Sequence, residues 1–202
     1  ENLVQANLTL TEVADVRSPQ LISQAINYDS GILTLTFSET MDVTPSTKVR
    51  PTSVFIGQTS NLADAVQLTE ATATTTDSGI IKFELTESQR SAAIKFSAFV
   101  AYYSQTASNP AVLRINGTSS FEDLSGNVFN ADQNLVAVNL DEIQDSTPPS
   151  VLSCSLNYST GSLEITFSEI VNFDERASAD GIVNGKLHLD EIFLSNVSGI
   201  SI

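Results

Sequence analysis

The feature that most constrains this chain is that it repeats itself. Ser18-Pro-Gln-Leu-Ile-Ser-Gln-Ala-Ile-Asn-Tyr-Asp-Ser-Gly-Ile-Leu-Thr-Leu-Thr-Phe-Ser-Glu39 aligns without a gap with Pro148-Pro-Ser-Val-Leu-Ser-Cys-Ser-Leu-Asn-Tyr-Ser-Thr-Gly-Ser-Leu-Glu-Ile-Thr-Phe-Ser-Glu169, at a spacing of 130 residues. Asn-Tyr, Gly and Thr-Phe-Ser-Glu recur unchanged. A second match, Asn2-Leu-Val-Gln-Ala-Asn-Leu8 against Asn134-Leu-Val-Ala-Val-Asn-Leu140, has a spacing of 132, so the two-residue difference falls in the linker. A fixed period of this kind marks one folding unit per copy. Residues 1–15 are therefore expected to carry the last strand of a preceding repeat, 16–147 a complete repeat, and 148–202 the start of a following one, in which Ile192-Phe193 answers Val54-Phe55.

Strand side chains alternate between faces. That alternation predicts Ile22, Gln24, Ile26 and Tyr28 on one face of a first strand, with Leu152, Cys154, Leu156 and Tyr158 as their copies. After the turn signal Asp29-Ser-Gly31, a second strand buries Leu33, Leu35 and Phe37 and exposes Thr34 and Thr36. Further strands are expected over 53–57, 65–74, 80–86, 110–116 and 134–142. Seven strands in such a length match the inventory of an immunoglobulin-like Greek-key β-sandwich, so the fold class is all-β with such repeats in tandem. One interruption is predicted to be helical. Thr86-x-x-Gln89 fits a capping box, and 91–100 is rich in helix formers, placing a short helix between the fifth and sixth strands.

The chain has 24 Asp and Glu against 9 Lys and Arg, a formal charge of −15. That balance excludes a nucleic-acid binder, which needs cations for the phosphates, and disfavours anionic membrane surfaces. It leaves divalent cations as natural partners. The single cysteine, Cys154, cannot form a disulfide within the chain, and at an inward position it is expected to be a small buried apolar residue. His188 has no second histidine to complete a triad or metal site. No phosphate loop, nucleophile elbow or Cys/His cluster is present, so the segment is not expected to be an enzyme.

Asp145-Ser-Thr-Pro-Pro149 at the linker, Leu33-Thr-Leu-Thr-Phe-Ser-Glu39 and Asp123-Leu-Ser-Gly-Asn127 together resemble the bacterial-type Ig-like, cadherin-like tandem repeats of large cell-surface, surface-layer and adhesin proteins. The resemblance covers the complete repeat and the start of the next. It implies an extracellular or cell-surface setting, a spacer or adhesive role, and neighbouring repeats, or other copies in a filament, as partners. The first linker, Asp15-Val-Arg-Ser-Pro19, departs from the pattern with one proline in place of two.

In a sandwich of this type the loops after strands two, four and six gather beside the incoming linker. They carry Glu39 and Asp42, then Asp77, then Glu122, Asp123 and Asp132, and the linker adds Glu12 and Asp15. The next junction has Glu142 and Asp145 with Glu169, Asp174 and Glu175. Hard cations such as Ca²⁺ take six to eight oxygens, so these acids form a candidate calcium set at each junction. The alternative is that they are solvated loop ends. Glu39 shares the parity of Leu33, Leu35 and Phe37, so it should find a cation, Arg17 or Arg50, or backbone N–H groups at the end of the core. Four sequons, at Asn7, Asn116, Asn157 and Asn196, are candidate glycosylation points, at a frequency composition alone accounts for. The leading functional expectation is a structural segment of a long extracellular protein. The alternative is an accessory ligand-binding module, for example for carbohydrate, using Tyr102, Tyr103, Phe121 and Phe129.

Overall fold

The computed structural model describes residues 10–58, 65–99, 109–116, 121–129, 138–171, 176–177, 183–184 and 192. The chain divides into two compact units, Glu1–Thr147 and Pro148–Ile202.

The first unit is built of strands, the longer of which alternate apolar and polar residues. The strands are β1 (Leu21–Asn27), β2 (Ile32–Met41), β3 (Val54–Gly57), β4 (Val66–Gln67), β5 (Thr72–Ala73), β6 (Ser78–Glu84), β7 (Val112–Ile115), β8 (Val138–Asn139) and β9 (Asp141–Ile143). One sheet has the order β5-β6-β2-β1-β9 and the other β4-β3-β7-β8. The β1–β9 pair is parallel and the remaining pairs are antiparallel. The chain passes from the second sheet to the first at Leu140, which is buried. Leu33, Leu35, Ile81 and Phe83 from one sheet and Val54, Ile56, Leu113 and Ile115 from the other join a single buried cluster. Each such side chain contributes about 1.5–3 kcal/mol by leaving water.

The first strand corrects the parity expectation at one position. The pairing slips between Leu21↔Phe37 and Ser23↔Thr36, a β-bulge. A bulge inserts one extra residue and reverses the faces on its far side. Leu21 therefore packs against the core, while Ile22 is 63% exposed. Ile26 and Tyr28, beyond the bulge, are buried as alternation requires.

The helix α1 spans Glu87–Ile94, starting at the expected capping box and ending short of the helix formers that run to residue 100. The capping box sets its start: Thr86 Oγ1 accepts from Gln89 N, and Gln89 Oε1 accepts from Thr86 N. Its buried face is Gln89, Arg90 and Ala93. The α-helical bonding stops because Phe96 N and Ser97 N turn back to Ala93 O and Ile94 O, and Ala98 N donates to the Glu142 carboxylate at 2.9 Å. α1 connects β6 of one sheet to β7 of the other.

In the second unit β10 (Val151–Asn157) and β11 (Ser162–Phe167) form a two-stranded sheet, and β12 (Arg176–Ala177) pairs with β13 (Val183–Asn184). The β10–β11 register is that of β1–β2 moved by 130 residues, bulge included: Val151↔Phe167, then Ser153↔Thr166. Both faces of this hairpin are largely exposed. Tyr158 is 90% exposed where Tyr28 is 1%. Cys154 is likewise exposed, not buried as its parity suggested, because among the described residues of this unit the hairpin forms a sheet of only two strands.

Candidate functional site

Between the buried Phe37 and Met41 of β2, Ser38 in the Thr-Phe-Ser-Glu run fastens the incoming chain. Gln20 N donates to Ser38 Oγ at 3.0 Å, and Ser38 N donates to Gln20 O. The second unit repeats this, with Ser150 N donating to Ser168 Oγ at 2.9 Å. Next to it lies the turn Asp123–Asn127. Asp123 Oδ1 accepts from Ser125 N (2.7 Å) and Asn127 N (2.9 Å), and Oδ2 accepts from Asn127 Nδ2 (2.8 Å). Gly126 supplies the positive φ of +84° that this turn needs. Asp42 N donates to Glu122 O, tying the turn to the end of β2. Asn127 Nδ2 also reaches Asp15 O at 3.3 Å, drawing in the linker. The outcome is a cluster: carboxylate oxygens of Asp15, Glu39 and Asp123 all lie within 4.8 Å of one another.

Electrostatically the three differ. Burial raises the proton affinity of Asp123, but hydrogen bonds from the Asn127 side chain and the Asn127 and Ser125 amides outweigh it and hold this carboxyl below the ordinary range. Glu39 is pushed above that range, first by desolvation and then by the charges of Asp123 and Asp15, and its carboxyl hydrogen-bonds to Asp123. Asp15 Oδ1 accepts from Arg17 N at 3.0 Å. An open groove lined by Asp15, Arg17, Ser18, Gln20, Ser38 and Glu39 gives access to the cluster. Glu39 thus meets neighbouring carboxyls and Ser38, where a proton or a divalent cation relieves the repulsion.

Other acids of this pole are engaged elsewhere. Lys48 bridges Asp42 and Glu122, the latter at 2.9 Å, and its hydrogen bond holds Asp42 below the ordinary carboxylate range. Asp77 accepts from Val43 N at 2.9 Å and Thr44 Oγ1 at 3.0 Å. Glu12 is exposed and outside the cluster. Asp132 lies outside the described residues.

Glu142 and Asp145, expected at the second junction, are held within the first unit. Glu142 Oε1 accepts from Tyr28 Oη (2.7 Å) and Ala111 N (3.1 Å), and Oε2 accepts from Ala98 N. Asp145 pairs with Arg90 at 2.6 Å. Glu169 is half-buried in the second unit, and Asp174 and Glu175 lie outside the described residues. Asn116 and Asn157 are exposed, and Asn157 Oδ1 accepts from Ser159 N and Thr160 N in an Asx turn. Asn7, Asn196, His188, Tyr102 and Tyr103 fall outside the described residues. Phe121 is buried, and Phe129 packs edge-on against Phe37 at 5.4 Å.

Sequence reasoning did not single out Lys48, Arg90, Ser38 or Asn127. Ser38 was legible as part of a recurring Thr-Phe-Ser-Glu run. Arg90 and Asp145 stand 55 residues apart, and no local pattern joins them.

Comparison of the chain with family models, curated proteins and solved structures finds no match. Among the described residues no helix is long and apolar enough to cross a membrane.

Proposed function

We propose that this chain is a structural segment of a long extracellular protein, built from tandem immunoglobulin-like Greek-key repeats that set length and stiffness and offer surfaces for adhesion or filament assembly. The observation that carries the reading is the hairpin repeated at 130 residues with the same register, bulge and Ser38/Ser168 clamp. The order β5-β6-β2-β1 in one sheet and β4-β3-β7-β8 in the other is consistent with an immunoglobulin-like connection. Repeats of this kind interact mainly with their neighbours, so copy number sets reach. Antibodies against residues 16–147 are expected to label intact source cells or their secreted material. Labelling only after the cells are made permeable would sink the extracellular reading.

The same reading gives the Asp15, Glu39 and Asp123 cluster a role as a calcium site that stiffens the incoming linker. Three carboxylates supply part of the six to eight oxygens calcium takes, with water completing the shell. Millimolar Ca²⁺ is expected to raise the melting temperature by a few degrees over chelator, and Glu39→Ala is expected to abolish the difference. Identical melts in calcium and chelator would remove the idea. The alternative of a carbohydrate-binding module loses two of its four aromatic candidates, since Phe121 and Phe129 pack in the core.

A further inference from the structure

We propose that Arg90, Tyr28 and Asp29 form a latch that holds the outgoing segment Glu142–Thr147 onto the body of the first unit. The backbone pairing of the last strand is short. β9 meets β1 over only three residues, Ala25↔Asp141, Ile26↔Glu142 and Asn27↔Ile143, followed by one bond from Tyr28 N to Ile143 O. Side chains add to this pairing and extend beyond it. Tyr28 Oη donates to Glu142 at 2.7 Å. Arg90 Nη1 donates to Asp145 Oδ2 at 2.6 Å and to Tyr28 O at 2.8 Å, while Nε and Nη2 hold Glu87. Asp29 Oδ1 accepts from Thr147 Oγ1 at 2.6 Å and Ser146 N at 3.4 Å.

Arg90 is suited to this work. It is 9% exposed, and its planar fork donates to several acceptors at once, with charge-assisted bonds to two carboxylates. Its stem crosses the β1–β2 turn directly over Gly31, where an added Cβ would stand 3.4 Å from Arg90 Cδ. Tyr28, Arg90 and Asp29 each bond the outgoing chain, and Arg90 is itself braced by Tyr28 O and Glu87. A pull on that chain beyond Thr147 meets the Asp29 and Arg90 bonds before it reaches the three-residue ladder. This deepens the reading of the chain as a structural segment and gives it a way to keep its last strand docked under load.

Hydrogen exchange of the 202-residue chain, read by mass spectrometry, tests the latch. In Arg90→Met, exchange at Asp141–Ile143 and Thr147 is expected to rise about tenfold, with protection of β2 and β6 unchanged, the signature of local opening. Lys48→Met, which breaks an ion pair away from the latch, is expected to leave Asp141–Thr147 unaffected. Unchanged exchange there in Arg90→Met, or an equal rise throughout the unit, would overturn the latch. Asp29→Ala removes only the exposed arm and covers the case in which Arg90→Met does not fold; its silence over Ser146 and Thr147 would count equally against the proposal. The exchange result concerns one strand, so its failure leaves the extracellular reading standing, and failure of cell labelling leaves the latch standing.

Discussion

Asp15, Glu39 and Asp123 stand close enough that each negative charge raises the free energy of the next, and each responds according to its own bonds. Asp123 has two backbone amides and an Asn127 side chain to stabilise its charge. Glu39 has desolvation and two like charges against it. The signs are opposite. The folded chain holds a proton on Glu39 more tightly than the unfolded chain does, so as pH rises from the ordinary carboxylate range through the raised Glu39 value this group lowers stability. Asp123 contributes stability above the ordinary range and loses it as pH falls toward its lowered value. In chelator, Glu39→Gln is therefore expected to melt a few degrees higher than wild type at neutral pH and to flatten the profile between the ordinary carboxylate range and the raised Glu39 value. Melting curves from about pH 4 to 8 check this, and a parallel pair of profiles would refute it. The position of Glu39 at the end of the core was legible from its parity with Leu33, Leu35 and Phe37. The choice among cation, arginine and amide partners was not, because it depends on where the Asp123 turn and the linker come to rest.

At the scale of elements, local signals were accurate where the deciding bonds are local. The Thr86–Gln89 box spans four residues, and α1 begins where it says. Thr86→Ala is expected to cost about 1 kcal/mol, seen as a lower urea midpoint with an unchanged slope. The end of α1 falls earlier than its helix formers suggest because Phe96 N and Ser97 N bond three residues back, and Ala98 N then goes to Glu142, far along the chain. The β1 bulge is a second such case. Leu21 and Ile22 are both apolar, and periodicity alone does not say which faces inward; the register against β2 does. The recurrence of that bulge between Val151 and Ser153 ties it to the shared hairpin pattern.

For the whole molecule, the first unit has a core drawn from both of its sheets, and its outgoing segment is bonded to its own body through Thr147. Residues 16–147 on their own are expected to unfold in one cooperative transition, with thermal curves by circular dichroism and fluorescence superimposing. Separate transitions, or an unfolded fragment, would show that this stretch is not an independent module. The two poles of the unit also differ in kind. The pole beside the incoming linker has three clustered carboxyls with like-charged neighbours, whereas the carboxylates of the outgoing segment have Arg90, Tyr28 and backbone amides as partners.

The sequence by itself determined the 130-residue period, the alternation that makes most of the strands, the turn at Gly31 and the start of α1. All of these rest on residues a few positions apart, or on direct repetition. It also pointed to acidic loops beside the incoming linker. Only the tertiary structure decided the partner of each acid: Lys48 for Asp42 and Glu122, Arg90 for Asp145, Tyr28 and two amides for Glu142, while the carboxylates of Asp15, Glu39 and Asp123 are brought together. The reason is physical. A carboxylate reads its environment over a few ångströms of space, and residues 55 or 114 positions apart become neighbours only when the sheets are assembled.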